Sequence, residues 1–314
     1  MFVRLSMASS LKSVLSVPFR TLNKAWLVAL ALFVVAPLAA ATEIATGDVE
    51  TILDTHTGKV TIWRLADNPN ILIFDFPSLL EQGRSFDRIT QLIDQFNEPY
   101  KRVMGNAEFA KYMDSLRRNY ADFAFGHDVL MNEFVLFFNL ADRDKIELFP
   151  EEIAVRDFLI EQGLIKTWRG IYQTVQGDQV VLSVPQVQER RENEPPINAL
   201  ARRAIILHEV SHGEFYTNKY YADYCRKFWS SVLNEEQRKH FKQFLSNYNY
   251  TLNADELLIN EMQAYLMFTP DPGSFSAAKL GVAQAELDAM RDAFVNGKPP
   301  TRLPIYSKEK GAKK

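Results

Sequence analysis

Short apolar runs in the first quarter of the chain predict two or three β-strands. The runs lie at 49–54, 59–64 and 70–76, and the last is apolar at nearly every position. A strand of that kind is typical of a sheet that is covered on both faces. Residues 67–69, Asp-Asn-Pro, separate the second run from the third and predict a turn.

Apolar residues then recur at intervals of three and four, which predicts a series of helices. The expected helices cover 86–96, 106–118 with Asn106 as the cap, 128–141, and 150–163. Two apolar runs follow, at 171–175 and 180–184, and the sequence Gln-Gly-Asp at 176–178 between them predicts a β-hairpin. Its second strand is either purely structural or an edge strand that a peptide could extend.

The last third of the chain is predicted to be helical. A charged, proline-ended linker at 189–196 precedes it. The expected helices begin at Ala199, 219, 234, 255 and 277, and the final one runs to 296. The pattern therefore predicts a mostly helical α+β fold, with small N-terminal strands and a hairpin packed against a helical core. We expect an α+β region at 42–192 and a helical region at 193–314, or one continuous domain.

The N-terminal segment 1–41 predicts a signal peptide. Its four basic residues, with no acidic residue, precede an apolar run at 26–36, and the small residues at 37–41 suit cleavage after Ala41. We therefore expect a periplasmic or secreted protein. The alternative is an uncleaved membrane anchor, for which the eleven-residue run is short against the usual ~20 residues.

Composition limits the classes of partner. The 314 residues are 47% hydrophobic and 24% charged, as in ordinary globular proteins, and carry a net charge of −3. The charged residues of the leader are all basic, so its loss would make the net charge more negative. Nucleic acid is therefore not expected as a partner. A membrane is expected as a partner only if the N-terminal segment stays uncleaved. The single cysteine, Cys225, forms no disulfide within the chain and is expected to be buried.

The candidate chemistry lies in the predicted helix that begins at Ala199. His208, Glu209 and His212 form the pattern His-Glu-x-x-His. The two histidines are one helical turn apart, so both imidazoles can bind one metal ion, and zinc suits such nitrogen ligands. Glu209 is placed to take a proton from a metal-bound water. The alternative is an exposed helical pair of histidines, although the neighbouring residues are apolar.

Glu261 is the best candidate for a third ligand. The residues around it on a helix are apolar or aromatic: Leu257, Leu258, Ala264, Tyr265 and Phe268. A carboxylate in such a face is costly unless it is paired or bound to a metal. The alternative partner is a buried arginine, either Arg202 or Arg203.

His-Glu-x-x-His followed by Asn-Glu-x-x-Ala resembles the gluzincin zinc metallopeptidases. The resemblance covers only the two helices, and it implies His208, His212 and Glu261 as zinc ligands and Glu209 as the general base. The chain departs from the best-known members because 48 residues separate His212 from Glu261. It is less similar to the metzincins, whose longer motif has a glycine at the position of Phe215 and a histidine at that of Asn218.

Several other residues are weaker candidates. Tyr265 follows Glu261 by one turn and could donate to a developing oxyanion, or it is a core aromatic residue. Tyr248 and Tyr250 are alternatives for the same role. His127 is expected at a helix start, in either a structural contact or the cleft. His56 and His240 are expected in a turn and on an exposed face.

These residues together predict a zinc-dependent hydrolase of peptide bonds, with a peptide or protein as its substrate. Two alternatives from other classes remain. One is an exported zinc-binding or peptide-binding protein that retains the site without catalysis. The other is a structural helical protein that binds no metal.

Overall fold

The computed structural model describes residues 43–93, 101–248, 250, 252–299 and 303. The predicted signal peptide and the end of the predicted helix 86–96 lie outside these ranges. Within them the protein is a mostly helical α+β fold, as the sequence predicts. None of the helices in these ranges is both long enough and apolar enough to cross a membrane.

The elements follow in a simple order along the chain. The strands are β1 (Ala45–Gly47), β2 (Thr61–Leu65), β3 (Ile71–Phe76), β4 (His127–Leu130), β5 (Ile165–Trp168), β6 (Ile171–Thr174) and β7 (Val180–Pro185). The first helices are α1 (Val49–Asp54), α2 (Leu79–Ile93), α3 (Asn106–Ser115), α4 (Met131–Asp144) and α5 (Pro150–Glu161). The later ones are α6 (Ala199–Thr217), α7 (Lys219–Lys227), a π-helix (Phe228–Val232), α8 (Glu235–Ser246), α9 (Asp255–Phe268), α10 (Ala277–Leu280) and α11 (Gln284–Gly297).

The larger sheet in the described residues has five strands in the order β1-β2-β3-β7-β4. The central strands β3 and β7 are parallel, and every residue in both is buried. Successive β3 side chains alternate between two apolar layers. Ile71 and Ile73 join a cluster with α6 and α9, whereas Leu72 and Phe74 join one with α2, α4 and α5. The sheet therefore separates two cores.

The predicted hairpin of 171–175 with 180–184 is wrong. Strand β6 pairs with β5 instead, through a two-residue turn at Arg169 and Gly170. Both turn residues have positive φ, 50° and 77°, as the tightest hairpin turns require, and Gly170 adopts that conformation without strain. Strand β7 pairs with β3 and β4, so it is central rather than an edge strand.

Three other predictions of elements need correction. Residues 49–54 form helix α1 rather than a strand, because Asp48 caps it by accepting a hydrogen bond from the Thr51 amide at 2.8 Å. Residues 128–130 belong to β4, and helix α4 starts only at Met131. The predicted final helix is two helices, since Gly281, with φ 81°, ends α10.

Asn106 is also not a cap. It is the first residue of α3, and its side-chain oxygen accepts a hydrogen bond from the buried Arg88. The predicted strands at 59–64 and 70–76, the helix from Pro150 and the helices after Ala199 agree with the structure within a few residues. Asn198 caps α6, which begins at Ala199 as predicted, by accepting a hydrogen bond from the Ala201 amide at 2.9 Å.

A close approach between α6 and the sheet positions the candidate site. A side chain at Gly213 would place its Cβ 2.8 Å from Cδ1 of Ile71, so any larger residue would require the Ile71 side chain to move. The start of α6 is fixed by Arg202. Its guanidinium contacts both carboxylate oxygens of Asp75, at 2.7 and 3.0 Å, and the carbonyls of Pro185 and Ile52. These contacts join α6 to β3, β7 and α1.

Candidate metal centre

Two imidazoles and one carboxylate meet between helices α6 and α9. His208 and His212 are 2% and 0% exposed, so they are not the exposed pair that the alternative required. Glu261, 1% exposed, approaches Nε2 of His208 at 3.5 Å with one oxygen and Nε2 of His212 at 3.6 Å with the other. The structure therefore brings the three predicted ligands together.

The spacing of these atoms suits a metal ion. Both nitrogen–oxygen distances exceed the ~2.7–3.2 Å of an ordinary hydrogen bond. With ligand distances of about 2.0–2.2 Å, tetrahedral coordination separates neighbouring ligand atoms by about 3.3–3.6 Å. One ligand atom from each residue lies within 4.8 Å of the others. This buried group could hold a metal ion.

Thr269 fixes the tautomer of His208. Its hydroxyl donates to the carbonyl of Ala264 at 3.0 Å, so its oxygen accepts from Nδ1 of His208 at 2.9 Å. The Nδ1 nitrogen therefore carries the proton, and Nε2, which lies 3.5 Å from a Glu261 oxygen, is the nitrogen that would bind a metal. Thr269, which directly follows the last residue of α9, carries no signal in the sequence that points to this role.

Glu209 is buried beside the segment that leads into β4. It is 2% exposed. A Cβ at Gly126 would lie 2.4 Å from its Oε1 and 2.7 Å from its Cγ, so the whole side chain lies against the backbone at Gly126. Glycine at this position is a requirement of the candidate base, and the sequence alone gave no signal for it.

The structure places two tyrosines at the site. The hydroxyl of Tyr250 donates to Oε2 of Glu261 at 3.0 Å and lies 3.5 Å from the hydroxyl of Tyr265. The ring of Tyr265 packs edge-on against the ring of His208, with centroids 4.8 Å apart. Tyr248 is partly exposed, and its hydroxyl is bound to the amine of Lys279. Tyr250, a weaker candidate in the sequence, thus contacts a predicted ligand directly.

Neither arginine that was considered as a partner for Glu261 reaches it. Arg202 is bound to Asp75, and Arg203 forms an exposed ion pair with Glu50 at 2.8 Å. That alternative for the buried carboxylate is therefore wrong.

A second polar group, around His127, is buried in the sheet. Its Nδ1 lies 2.6 Å from Oγ of Ser183, and its Nε2 lies 2.9 Å from Oδ1 of Asp87. Burial raises the pKa of Asp87 well above its ordinary value, and Asp122 adds to the shift. All three side chains are 0% exposed, they bind one another, and none of them lines the cleft beside Glu261. His127 makes a structural contact.

A chain of buried hydrogen bonds braces the other side of α6. Tyr221 donates to Gln263 at 2.6 Å, Gln263 donates to Ser211 at 3.1 Å, and Ser211 donates to the carbonyl of His208 at 2.7 Å. Burial raises the pKa of Tyr221 well above its ordinary value, which keeps the phenol a donor. The network joins α7 and α9 to the helix that carries the histidines.

A cleft of about 330 Å³ reaches the site. Its walls include Glu261, the end of α6 at Phe215 and Tyr216, and the β4 residues Asp128 and Leu130. In the part of the chain that the structure describes, β4 stands at the edge of the sheet. Of the candidate metal group, Glu261 lines this cleft, which lies beside an edge strand.

Comparison with known proteins gives no relative: no family model, no curated protein and no solved structure matches this chain. The fold and the site themselves define the class of protein. It is an α+β protein with a buried His-His-Glu group that could hold a metal ion.

Proposed function

We propose that this protein is a zinc-dependent hydrolase of peptide bonds that acts outside the cytoplasm. The observation that supports it is the convergence of His208, His212 and Glu261, with a second buried carboxylate, Glu209, directly after the first histidine. The resemblance to the gluzincin peptidases and the signal peptide stay predictions from the sequence.

The donor set favours zinc. Two imidazole nitrogens and one carboxylate oxygen are a common ligand set of catalytic zinc sites, which keep one position open, whereas structural sites use four protein ligands. Thr269 holds His208 in the tautomer that a metal requires. Tyr250 holds Glu261 from the other side.

Glu209 is the proposed general base. Zinc, when bound, polarises the scissile carbonyl and lowers the pKa of a coordinated water. Glu209 takes the proton of the attacking water and passes it to the departing nitrogen. A buried carboxylate is costly, and a site that only binds metal does not need one beside its ligands. Its presence therefore favours an enzyme over a binding protein.

The edge strand supports a peptide as the substrate. Strand β4 alternates between buried His127 and Val129 and partly exposed Asp128 and Leu130, and both of the latter line the cleft. An extended peptide that adds to this edge would lie in the cleft beside Glu261. Strand β4 is thus the candidate edge strand that a peptide could extend. The run 180–184, which had been the candidate on sequence grounds, is central in the sheet.

A digest of a peptide library, read by mass spectrometry, tests the proposal. The protein is purified after growth in zinc, its metal content is measured, and cleavage is compared with and without a chelator. We expect Glu209→Gln to keep zinc and lose turnover, and His208→Ala or Glu261→Ala to lose zinc. Glu236→Gln, at an exposed position, is the matched control.

Each result has a defined meaning. Turnover in Glu209→Gln rules out the assigned base. A protein without zinc after growth in zinc rules out the metal centre and favours the structural alternative. Zinc without cleavage of any peptide favours an exported zinc-binding or peptide-binding protein that retains the site.

A further inference from the structure

The hairpin of β5 and β6 has one face packed on the protein and one face with exposed side chains. Its inner face packs on α4, where the ring of Tyr172 contacts Phe138 and its backbone forms two hydrogen bonds with the side chain of Asn139. Trp168 pairs with Ile171 next to the turn. Because strand residues alternate between faces, Trp168 and Ile171 lie on the face opposite Tyr172.

The tip of this hairpin exposes large apolar side chains. Trp168 is 54% exposed and Ile171 53%. In contrast, Trp63 and Trp229 are 8% and 7% exposed, and Trp26 lies outside the described residues. The two residues flank a two-residue turn and pair across it, so the exposed tryptophan belongs to a hydrogen-bonded hairpin.

The same tip is basic. The guanidinium of Arg169 lies over the ring of Trp168, 4.4 Å from its centroid. Lys166 is exposed and shares the outer face with Trp168. The sequence has no acidic residue between Glu161 and Asp178, although the whole chain has a net charge of −3. The hairpin therefore has a local charge opposite to that of the protein.

We propose that the β5–β6 hairpin is a membrane-binding element that inserts Trp168 and Ile171 into the interface of a bilayer with anionic lipids. Tryptophan favours the level of the lipid headgroups, where its ring is partly apolar and partly polar. Arg169 and Lys166 meet the negative charge of the headgroups.

This inference rests on the hairpin alone and not on the proposed hydrolase. It departs from the expectation, drawn from the sequence, that only an uncleaved N-terminal segment would bring the protein to a membrane. Net charge predicts the behaviour of the whole molecule at long range. Within about one Debye length of the membrane, ~8–10 Å, the charge of the contacting element determines whether the surface attracts or repels the protein.

Binding to vesicles tests the inference. The exported protein is used as it is isolated, with vesicles of phosphatidylcholine alone or mixed with phosphatidylglycerol. We expect co-sedimentation with the anionic vesicles, weakened by salt, and a blue shift of Trp168 emission. The emission of Trp168 is isolated by subtracting the spectrum of Trp168→Phe, which keeps an apolar ring.

Matched variants separate the hairpin from other surfaces. Trp168→Ser combined with Ile171→Ser should weaken binding by at least about tenfold, because both apolar side chains are lost from the interface. Arg169→Asn should weaken it about fivefold, while Asn still accepts the positive φ of the turn. Tyr220→Ser, at a residue 81% exposed on α7, should change nothing.

Several outcomes would overturn the inference. Equal binding of the double variant and the wild type shows that another surface, or a retained leader, holds the vesicle. Equal binding to neutral and anionic vesicles removes the role of Arg169 and Lys166. Absence of binding to any vesicle leaves the exposed tip as a contact for a protein partner.

Discussion

Thr269 and His208 are joined by a hydrogen bond of 2.9 Å between Oγ1 and Nδ1, although they are 61 positions apart in the sequence. Thr269 ends the helix that carries Glu261, and His208 lies on the other helix of the site. One hydroxyl thus fixes both the tautomer of a candidate ligand and the relation between the two helices.

Replacement of Thr269 tests this role. Thr269→Val keeps the shape of the side chain but removes the acceptor, so we expect zinc affinity to fall about 10–100-fold. Thr269→Ser retains the hydroxyl and should stay near the wild-type value. Competition with a chromophoric chelator measures both. Equal affinities for the valine and serine variants would show that the hydroxyl does not orient the imidazole.

Tyr250 and Tyr265 have different contacts, which predicts different defects. Tyr250→Phe removes a donor to Glu261, so zinc affinity should fall by about tenfold. Tyr265→Phe should bind zinc nearly normally. If Tyr265 is the oxyanion donor that the sequence suggested, the kcat of Tyr265→Phe should fall ~10²–10³-fold. Metal titration and peptide turnover of the two variants, measured together, assign the roles.

Gly126 is predicted to be indispensable for activity but not for metal binding. In Gly126→Ala the new methyl group would lie 2.4 Å from Oε1 of Glu209, so the carboxylate must move. Displacement of a catalytic group by about 1 Å costs roughly 10²-fold in rate. Gly105→Ala is the control, since a Cβ there meets nothing within 4 Å. Normal turnover in Gly126→Ala would mean that Glu209 is not positioned by this contact.

Two adjacent arginines should differ sharply in their contribution to stability. Arg202→Met leaves Asp75 buried without its partner, and we expect the free energy of unfolding to fall by about 3–5 kcal/mol. Arg203→Met removes only an exposed pair with Glu50, for which about 0–1 kcal/mol is expected. Urea unfolding, followed by circular dichroism, measures both. Similar losses in the two variants would contradict the buried role of Arg202.

The buried thiol of Cys225 should make the free energy of unfolding depend on pH. Burial raises the pKa of its thiol above the ordinary value, so the folded protein keeps the proton at a pH where the unfolded chain has released it. Stability from this group is complete below pH ~8.5 and is lost above it by about 1.4 kcal/mol per pH unit. The difference in unfolding free energy between wild type and Cys225→Ala should therefore shift with this slope between about pH 9 and 10. A pH-independent difference would show that the thiol is not shielded.

The sequence predicted most helices because each has a local signal. Residues 150–163 start with proline and acidic residues, and α6 has its asparagine cap. Strand pairing, in contrast, depends on residues that are distant in sequence. The run 180–184 lies next to 171–175, yet β7 pairs with β3, more than a hundred residues earlier. Its apolar character, interrupted by Ser183 alone, was the available signal, since a nearly continuous apolar run is typical of a central strand.

The residues of the site also fall into two groups, those with a signal in the sequence and those without one. His208, Glu209, His212 and Glu261 were found because their residue types and helical spacing carry chemical information. Thr269 and Gly126 were missed because a threonine after a helix and a glycine before a strand are common. Their importance follows from contacts with His208 and Glu209, which only the folded chain reveals.

The interval between His212 and Glu261 has a wider consequence. It contains α7, the π-helix and α8, whose apolar residues belong to the same core as the site. The carboxylate is held by the packing of α9 on α6, not by the length of chain that lies between the ligands. Added residues in the loops of this interval would leave the donors in place, whereas loss of Tyr221 or Tyr250 would remove contacts that brace them. Relatives of such a protein are better sought by the arrangement of the donors in space than by a fixed spacing in sequence.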